Sequence, residues 1–237
     1  MAAPIDGRFP LVAIIGGTGR LGPGLALRLA RAAVPVVIGS RDGARAEERA
    51  AETARRLAAA GGGADVHGSL NVDAAGEGSI AFVTVPQEGQ AGLLPELAPA
   101  LAGKVVVSTA VPVRFDPELG PLPVEVANGS AAEQVAALLP DSRVVSGFHT
   151  VSSAHLSRLE RDLDEDVLLC GDDEEAKAQV SRLAELIGGL RVVDAGRLAN
   201  SRLTEQLTVL LLSINRLTRR NSGVHLTGLD RPPSGLG

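Results

Sequence analysis

Leu11 to Gly22, LVAIIGGTGRLG, is the stretch that decides the fold. Leu11 to Ile15 are five apolar residues in a row, the pattern of a strand buried on both faces. Gly17, Gly19 and Gly22 follow at G-x-G-x-x-G spacing, where a strand turns into a helix. Gly17 suits a tight turn, Gly19 lets backbone approach a pyrophosphate, and Gly22 lets helix and strand pack closely. Leu21, Leu25 and Leu29 then form one helical stripe. The N-terminus of that helix offers free N–H groups and a positive dipole end to phosphates. These residues predict a dinucleotide site.

The next apolar run, Val36-Val37-Ile38, ends in Gly39-Ser40-Arg41, with Arg45 one helical turn on. An NAD site usually places Asp or Glu here to accept from the ribose 2′-hydroxyl. A carboxylate would repel a 2′-phosphate, whereas a hydroxyl and guanidinium groups bind it through charge-assisted hydrogen bonds. The residues therefore favour NADP(H). Asp42 offers Arg45 an alternative partner at i,i+3.

The 237 residues are 45% apolar but only 2% aromatic, with no Trp or Tyr, so Val, Leu, Ile and Ala must build the core. A net charge of −5 argues against nucleic acid as a partner. One Cys excludes an internal disulfide and fits a cytoplasmic location. No secretory pattern opens the chain, and Leu207 to Ile214 is too short a run to span a bilayer. The four His and one Cys never fall at metal-ligand spacing, so no metal is expected.

Strands and helices alternate along the chain, which predicts an α/β fold: a Rossmann-type doubly wound parallel sheet with a C-terminal α/β extension ending in a long helix. Expected strands are 11–15, 36–38, a short one near 65–67, 80–85, 104–113, 143–148, 167–170 and 192–193. Expected helices follow Gly22 and cover 43–60, 130–139, 174–187 and 198–220. A helix over 87–102 should be short or broken at Pro95 and Pro99. Residues 10–149 read as the dinucleotide-binding domain and 150–229 as the extension. Residues 1–9 and 230–237 read as disordered ends.

In such sheets ligands bind outside the carboxyl ends of the strands. Those ends are Gly16 to Leu21, Gly39 to Arg41, Thr84 to Gln87, Ala110 to Pro112 and His149 to Ser153. Val85, Pro86, Val111 and Pro112 are apolar, prolyl strand ends that suit the flat faces of adenine, ribose and nicotinamide, or simply stop a strand.

Taken in order, GGTGRLGPGLALRLA, VVIGSR, GFHTVSSAHL, LLCGDDEEAK and VDAGRLANSRLTEQLTVLLLSIN resemble the NADPH-dependent reductases of the deazaflavin coenzyme F-420 over roughly 11–229. The H-T-x-x-A, CGDD and NSRL elements are the more specific ones. The resemblance implies hydride transfer between NADP(H) and coenzyme F-420 by a homodimer. It places Thr18, Gly19, Arg20 and Leu21 on the pyrophosphate loop, and Ser40, Arg41 and Arg45 at the 2′-phosphate. Val85 and Val111 fall in the NADP cleft. His149, Thr150, Val151 and Ser153 fall where nicotinamide and deazaflavin meet, and Leu226 falls in the segment closing the deazaflavin side. The chain departs from the family at Gln87, where Trp is common, and at Ser152, where Pro is common.

Hydride transfer between two bound rings needs little acid–base apparatus, and no catalytic triad is visible. His149 is the candidate polar group near the rings, or else a structural cap of a strand end. Cys170 reads as a small buried residue, and 172–175 as a carboxylate-rich helix N-terminus. Two other functions stay open on these residues: an NADPH-dependent reductase of a small imine or carbonyl compound, and a non-catalytic NADPH-binding protein.

Overall fold

The computed structural model describes residues 9–229. The ends read as disordered lie outside the described residues, except Phe9, which packs against the core. Strands β1 (Val12–Ile15), β2 (Val36–Ser40), β3 (Val66–Leu70), β4 (Ile80–Val83), β5 (Val105–Ser108) and β8 (Arg143–Ser146) are all parallel. Their order, β8-β5-β4-β1-β2-β3, reverses between β1 and β4. That is the doubly wound arrangement, with its crevice at the reversal. β1, β2, β4 and β5 are buried residue for residue, as strands covered on both faces must be.

Two apolar layers flank the sheet. Helices α1 (Gly22–Arg31) and α2 (Gly43–Ala59) cover one face, where Leu25, Leu29 and Leu57 meet Ile14, Ile38 and Phe82. The short α3 (Asn71–Glu77), α4 (Gln87–Leu101) and α5 (Ala131–Leu138) cover the other, around Ile15, Val83 and Val106.

The structure corrects several expectations. α4 runs unbroken through Pro95 and Pro99. Both prolines are exposed and stand four apart on the outward face, while Leu94, Leu97 and Leu101 are buried. The carbonyls that lose a partner therefore meet water, and core packing holds the helix. The strand expected over 104–113 stops at Ser108. Val113–Asp116 is a separate strand, β6, paired antiparallel with β7 (Gly120–Pro123). α3 and a one-turn helix, α6 (Ser153–Leu156), were not expected.

The extension is also not all parallel. β9 (Glu165–Gly171) runs antiparallel to β8 and pairs with it only through Val145–Gly171 and Ser146–Cys170. β10 (Leu190–Asp194) runs parallel to β9. Most of β9 thus projects past the carboxyl end of β8. The chain after β8 continues beside it, with Thr150 Oγ1 donating to the Asp166 carbonyl at 3.5 Å. α7 (Glu174–Glu185) joins β9 to β10, and a single 3-10 turn (Leu198–Asn200) leads into α8 (Ser201–Thr218).

Candidate functional site

The glycine loop leaves β1 at Gly16, whose φ of +70° carries the tight turn expected at Gly17. Gly16 N–H donates to Asn71 Oδ1 (3.0 Å). Gly17 N–H donates to the carbonyls of Ile14 (3.1 Å) and Gly39 (2.8 Å). A Cβ on Gly17 would lie 2.7 Å from the Ile14 carbonyl oxygen, and one on Gly22 would lie 2.3 Å from the Gly17 oxygen. Both glycines are therefore sterically required. Gly19 differs: it is exposed, and a Cβ there would meet only the Gly16 oxygen, at 3.4 Å. Its bareness leaves the loop open to an approach from outside. Thr18 is half-buried, Arg20 is exposed and Leu21 packs on the core. α1 begins with Pro23 in its first turn and no acidic residue there, so nothing competes with an anion.

At the end of β2, Ser40 is buried and its Oγ accepts from Asp42 N–H at 3.2 Å. The Asp42 carboxylate caps α2 by accepting from Arg45 N–H (3.2 Å). Asp42 thus spends its charge on a helix N-terminus instead of the Arg45 side chain. The guanidinium groups of Arg41 and Arg45 are exposed, with no side-chain partner among the described residues.

Beyond β4, Thr84 Oγ1 ties back to the Ile15 carbonyl (2.9 Å), and Thr109 Oγ1 beyond β5 ties to the Val83 carbonyl (3.0 Å). Val85 lies over the glycine loop: its Cγ2 would be 2.6 Å from a Cβ on Gly16. Pro86 is exposed, Val111 half-buried and Pro112 buried. Gln87 is held in an amide network. Its Nε2 donates to Gln134 Oε1 (2.6 Å), Gln134 Nε2 donates to the Gln87 carbonyl (3.1 Å) and Gln90 Oε1 (3.3 Å), and Gln90 Nε2 donates to the Val85 carbonyl (3.5 Å).

After β8, Phe148 takes a φ of +67° although it is not glycine. Its ring is held edge-on to Phe82, with centroids 5.3 Å apart. Packing thus enforces a strained residue immediately before His149, a pattern associated with functional sites. His149 is 7% exposed and its Nε2 lies 2.9 Å from Thr204 Oγ1 of α8. Burial pushes its pKa down to about 4, so the ring is neutral at physiological pH. Thr150 and Val151 are buried, Ser152 caps α6, and Ser153 is half-buried at its first turn. Buried Arg28 of α1 pins the following segment by donating to the carbonyls of His155, Leu156, Arg158 and Arg161.

The C-terminal segment crosses the start of β9 and β10. Asp166, fully buried, takes two bonds from Arg191 (2.9 and 2.6 Å) and one from Leu226 N–H (2.6 Å). Arg191 also donates to the Leu226 carbonyl at 2.6 Å, and Asp166 N–H to the Val224 carbonyl at 2.7 Å. Burial opposes ionisation of Asp166, yet Arg191 and the Leu226 N–H hold its carboxyl below the ordinary value. Glu165 beside it takes His155 Nδ1 at 2.5 Å and Ser152 N–H at 3.1 Å. Leu226 therefore borders the overhang of β9, next to the His149–Ser153 turn, rather than the glycine loop.

Several residues of this edge escaped the sequence reading. Asn71 joins the glycine loop to the start of α3, and Gln90 and Gln134 brace the Val85 turn. Glu205 of α8 is 3% exposed, and its carboxylate accepts from Ala131 N–H (3.0 Å) and Ala132 N–H (3.1 Å) at the start of α5. Burial pushes its pKa up to about 7, against those N–H groups. The available signal was a carboxylate set within an otherwise apolar helix, at Thr204-Glu205. As expected, Cys170 is buried and unpaired. Asp173 caps α7 by accepting from Ala176 N–H at 2.8 Å. Among the described residues no group of His, Cys, Asp or Glu is arranged to hold a metal, and no helix is long and apolar enough to cross a membrane.

A glycine cradle at a helix N-terminus, at the reversal point of a parallel sheet and followed by Ser40 and Arg41, defines a dinucleotide-binding α/β protein of the Rossmann class. The family described as "NADP oxidoreductase coenzyme F420-dependent" matches residues 11–112. An "F420-dependent NADP reductase" of Methanocaldococcus jannaschii is 40% identical, covering 92% of this chain and 99% of that protein. One from Methanothermobacter marburgensis is 38% identical over 92% of this chain and 98% of its own length. The crystal structure of a putative F420-dependent NADP-reductase from Arthrobacter sp. FB24 superposes with a TM-score of 0.74 at 26% identity, covering 89% of this chain and 95% of that one. The chain belongs to the F420-dependent NADP reductase family.

Proposed function

We propose that the protein is an oxidoreductase passing a hydride between NADP(H) and coenzyme F-420. The observation that carries this reading is family membership across nearly the whole chain, and the geometry agrees with it. The cradle that a Cβ on Gly17 or Gly22 would fill, with the open approach at Gly19, fits a pyrophosphate at the start of α1. Thr18, Arg20 and Leu21 complete that loop. Ser40, Arg41 and Arg45 would hold the 2′-phosphate, as hydroxyl and cations free to do so. Val85, Pro86, Val111 and Pro112 would flank the adenosine and nicotinamide. His149, Thr150, Val151, Ser153 and Leu226 would border the deazaflavin.

When bound, the two cofactors supply the ring carbons between which the hydride moves. The chain's own residues bind, align and exclude water. His149, neutral and held by Thr204, positions the turn at the ring side and is not a charged acid there. Residues 10–149 serve NADP(H), and 150–229 close the second side.

The assembly we propose is a homodimer built on α8. Leu203, Leu207, Leu210, Ile214 and Leu217 recur at spacings of four and three along its outer side, the seam of a coiled coil. Leu210 is 56% and Leu217 84% exposed, and Phe115 and Leu119 of the β6–β7 hairpin are also exposed. A cytoplasmic location suits the lone reduced thiol of Cys170.

Anaerobic mixing with NADPH and oxidised F-420 tests the reading. Rapid loss of the deazaflavin absorbance with NADPH, and little with NADH, is the expected result. Tight NADPH binding without bleaching would overturn the F-420 assignment and leave the smaller imine or carbonyl substrates.

A further inference from the structure

Among the described residues, four buried side-chain polar atoms lack a protein partner: Ser108 Oγ, Ser146 Oγ, Ser201 Oγ and His149 Nδ1. The serines share one row, and His149 joins it through Thr204. Ser108 and Ser146 end adjacent strands in register, and Ser146 is in register with Cys170 of β9. Alternation along each strand puts all three side chains on one face of the sheet, the face that carries Val106 and Val144. α8 lies over this row. Ser201 faces the Cys170 thiol, and Thr204 Oγ1 is 4.0 Å from its sulfur. Thr204 is in turn 2.9 Å from His149 Nε2. Leaving a buried hydroxyl unpaired is costly, and orphans this concentrated call for one shared explanation.

Thr204 has one hydroxyl hydrogen and two acceptors in reach, the Ser201 carbonyl at 3.1 Å and His149 Nε2 at 2.9 Å. With that hydrogen on the carbonyl, the oxygen accepts from His149, and Nδ1 is left as a bare acceptor. A ring nitrogen with no protein partner, and three hydroxyls that can each donate and accept, are complementary to water. Strands about 4.8 Å apart place neighbouring serines at a span that one bridging water covers with two bonds of about 2.8 Å. Buried waters typically make about three hydrogen bonds to groups of this kind.

We propose that the hydroxyls of Ser108, Ser146 and Ser201 hold an ordered internal water between the sheet and α8, and that this water donates to Nδ1 of His149. The site takes water alone, since all its protein atoms are buried. Its role is positional. With Thr204 on one ring nitrogen and water on the other, His149 is fixed in one tautomer and one orientation at the mouth of the cleft. The proposal rests on the row of side chains and is independent of which acceptor the enzyme reduces.

A high-resolution crystal structure of the full-length chain, with nitrogen-15 spectra of its histidines, tests the proposal. The expected result is a fully occupied water within about 3.2 Å of at least two of the serine hydroxyls. Its peak should be lost in Ser146→Ala, and the His149 Nδ1 resonance should shift in that variant. Should Ser146→Ala fail to fold, Ser108→Ala is read the same way. Serine hydroxyls turned onto main-chain carbonyls with no water between them would overturn the proposal. So would a His149 Nδ1 resonance that does not respond to loss of the serine hydroxyl.

Discussion

α1 and α8 are both amphipathic, yet they pack in opposite senses. α1 turns Leu25, Leu27 and Leu29 into the core. α8 turns Ser201, Thr204 and Glu205 inward and presents much of its leucine stripe to solvent. The difference follows from what each helix covers. Under α1 lie the apolar centres of β1, β2 and β4. Under the start of α8 lie strand ends that finish in Ser108, Ser146 and Cys170. A polar floor requires a polar helix face, and the apolar face is then left for another partner. The first helix seals an apolar layer beside the glycine loop; the second closes a polar seam and leaves an apolar stripe exposed.

The largest effect should come from breaking the dry side. Gly22→Val places its Cβ against the Gly17 carbonyl and should destabilise the fold by about 3 kcal/mol, read as a fall in the denaturant midpoint. Gly19→Val, where the fold has room, should leave that midpoint unchanged while dinucleotide binding is lost, as calorimetry would show. Next comes Arg41→Ala. Loss of one charge-assisted contact should raise the NADPH KM by about 10- to 100-fold, with NADH use little altered; equal losses for both would remove Arg41 from the 2′-phosphate.

On the α8 side, Leu210→Asp should convert the proposed dimer to monomer in light scattering without lowering the helix content. A dimer that survives would move the interface elsewhere. The smallest effect concerns pH. The folded pKa of Glu205, about 7, stands above its ordinary 4.5, so the folded state binds the extra proton between those values. Its contribution to stability is therefore fully present below about pH 4.5 and declines as pH rises to about 7. Melting curves of Glu205→Gln should lack that decline, and a variant with the wild-type slope would assign the decline to another group.

The dry half was legible in the sequence because its signals are local. Five apolar residues, three spaced glycines and a leucine stripe state strand, turn and helix without reference to the rest of the chain. The placing of Ser40 at the end of β2, with Arg41 and Arg45 exposed beyond it, was legible for the same reason. The polar half depends on contacts between distant residues. Glu205 is intelligible only once Ala131 and Ala132 lie in front of it, and Asn71 only once Gly16 does. The direction of β9 left no mark on its run of apolar residues. Pro95 and Pro99 misled because the cost of a proline in a helix depends on which face it occupies. The leucine stripe of α8 announced a helix but not which side of it would be wet.

The short seam between β8 and β9 has a dynamic consequence. In the strand ladder, two residue pairs join the outer two strands to the other six. In terms of amide exchange, that ladder is the natural boundary between two cooperative units. Protons on β9 and β10 can exchange through openings that leave the dinucleotide half closed. The six parallel strands would then keep their shape while the outer two breathe.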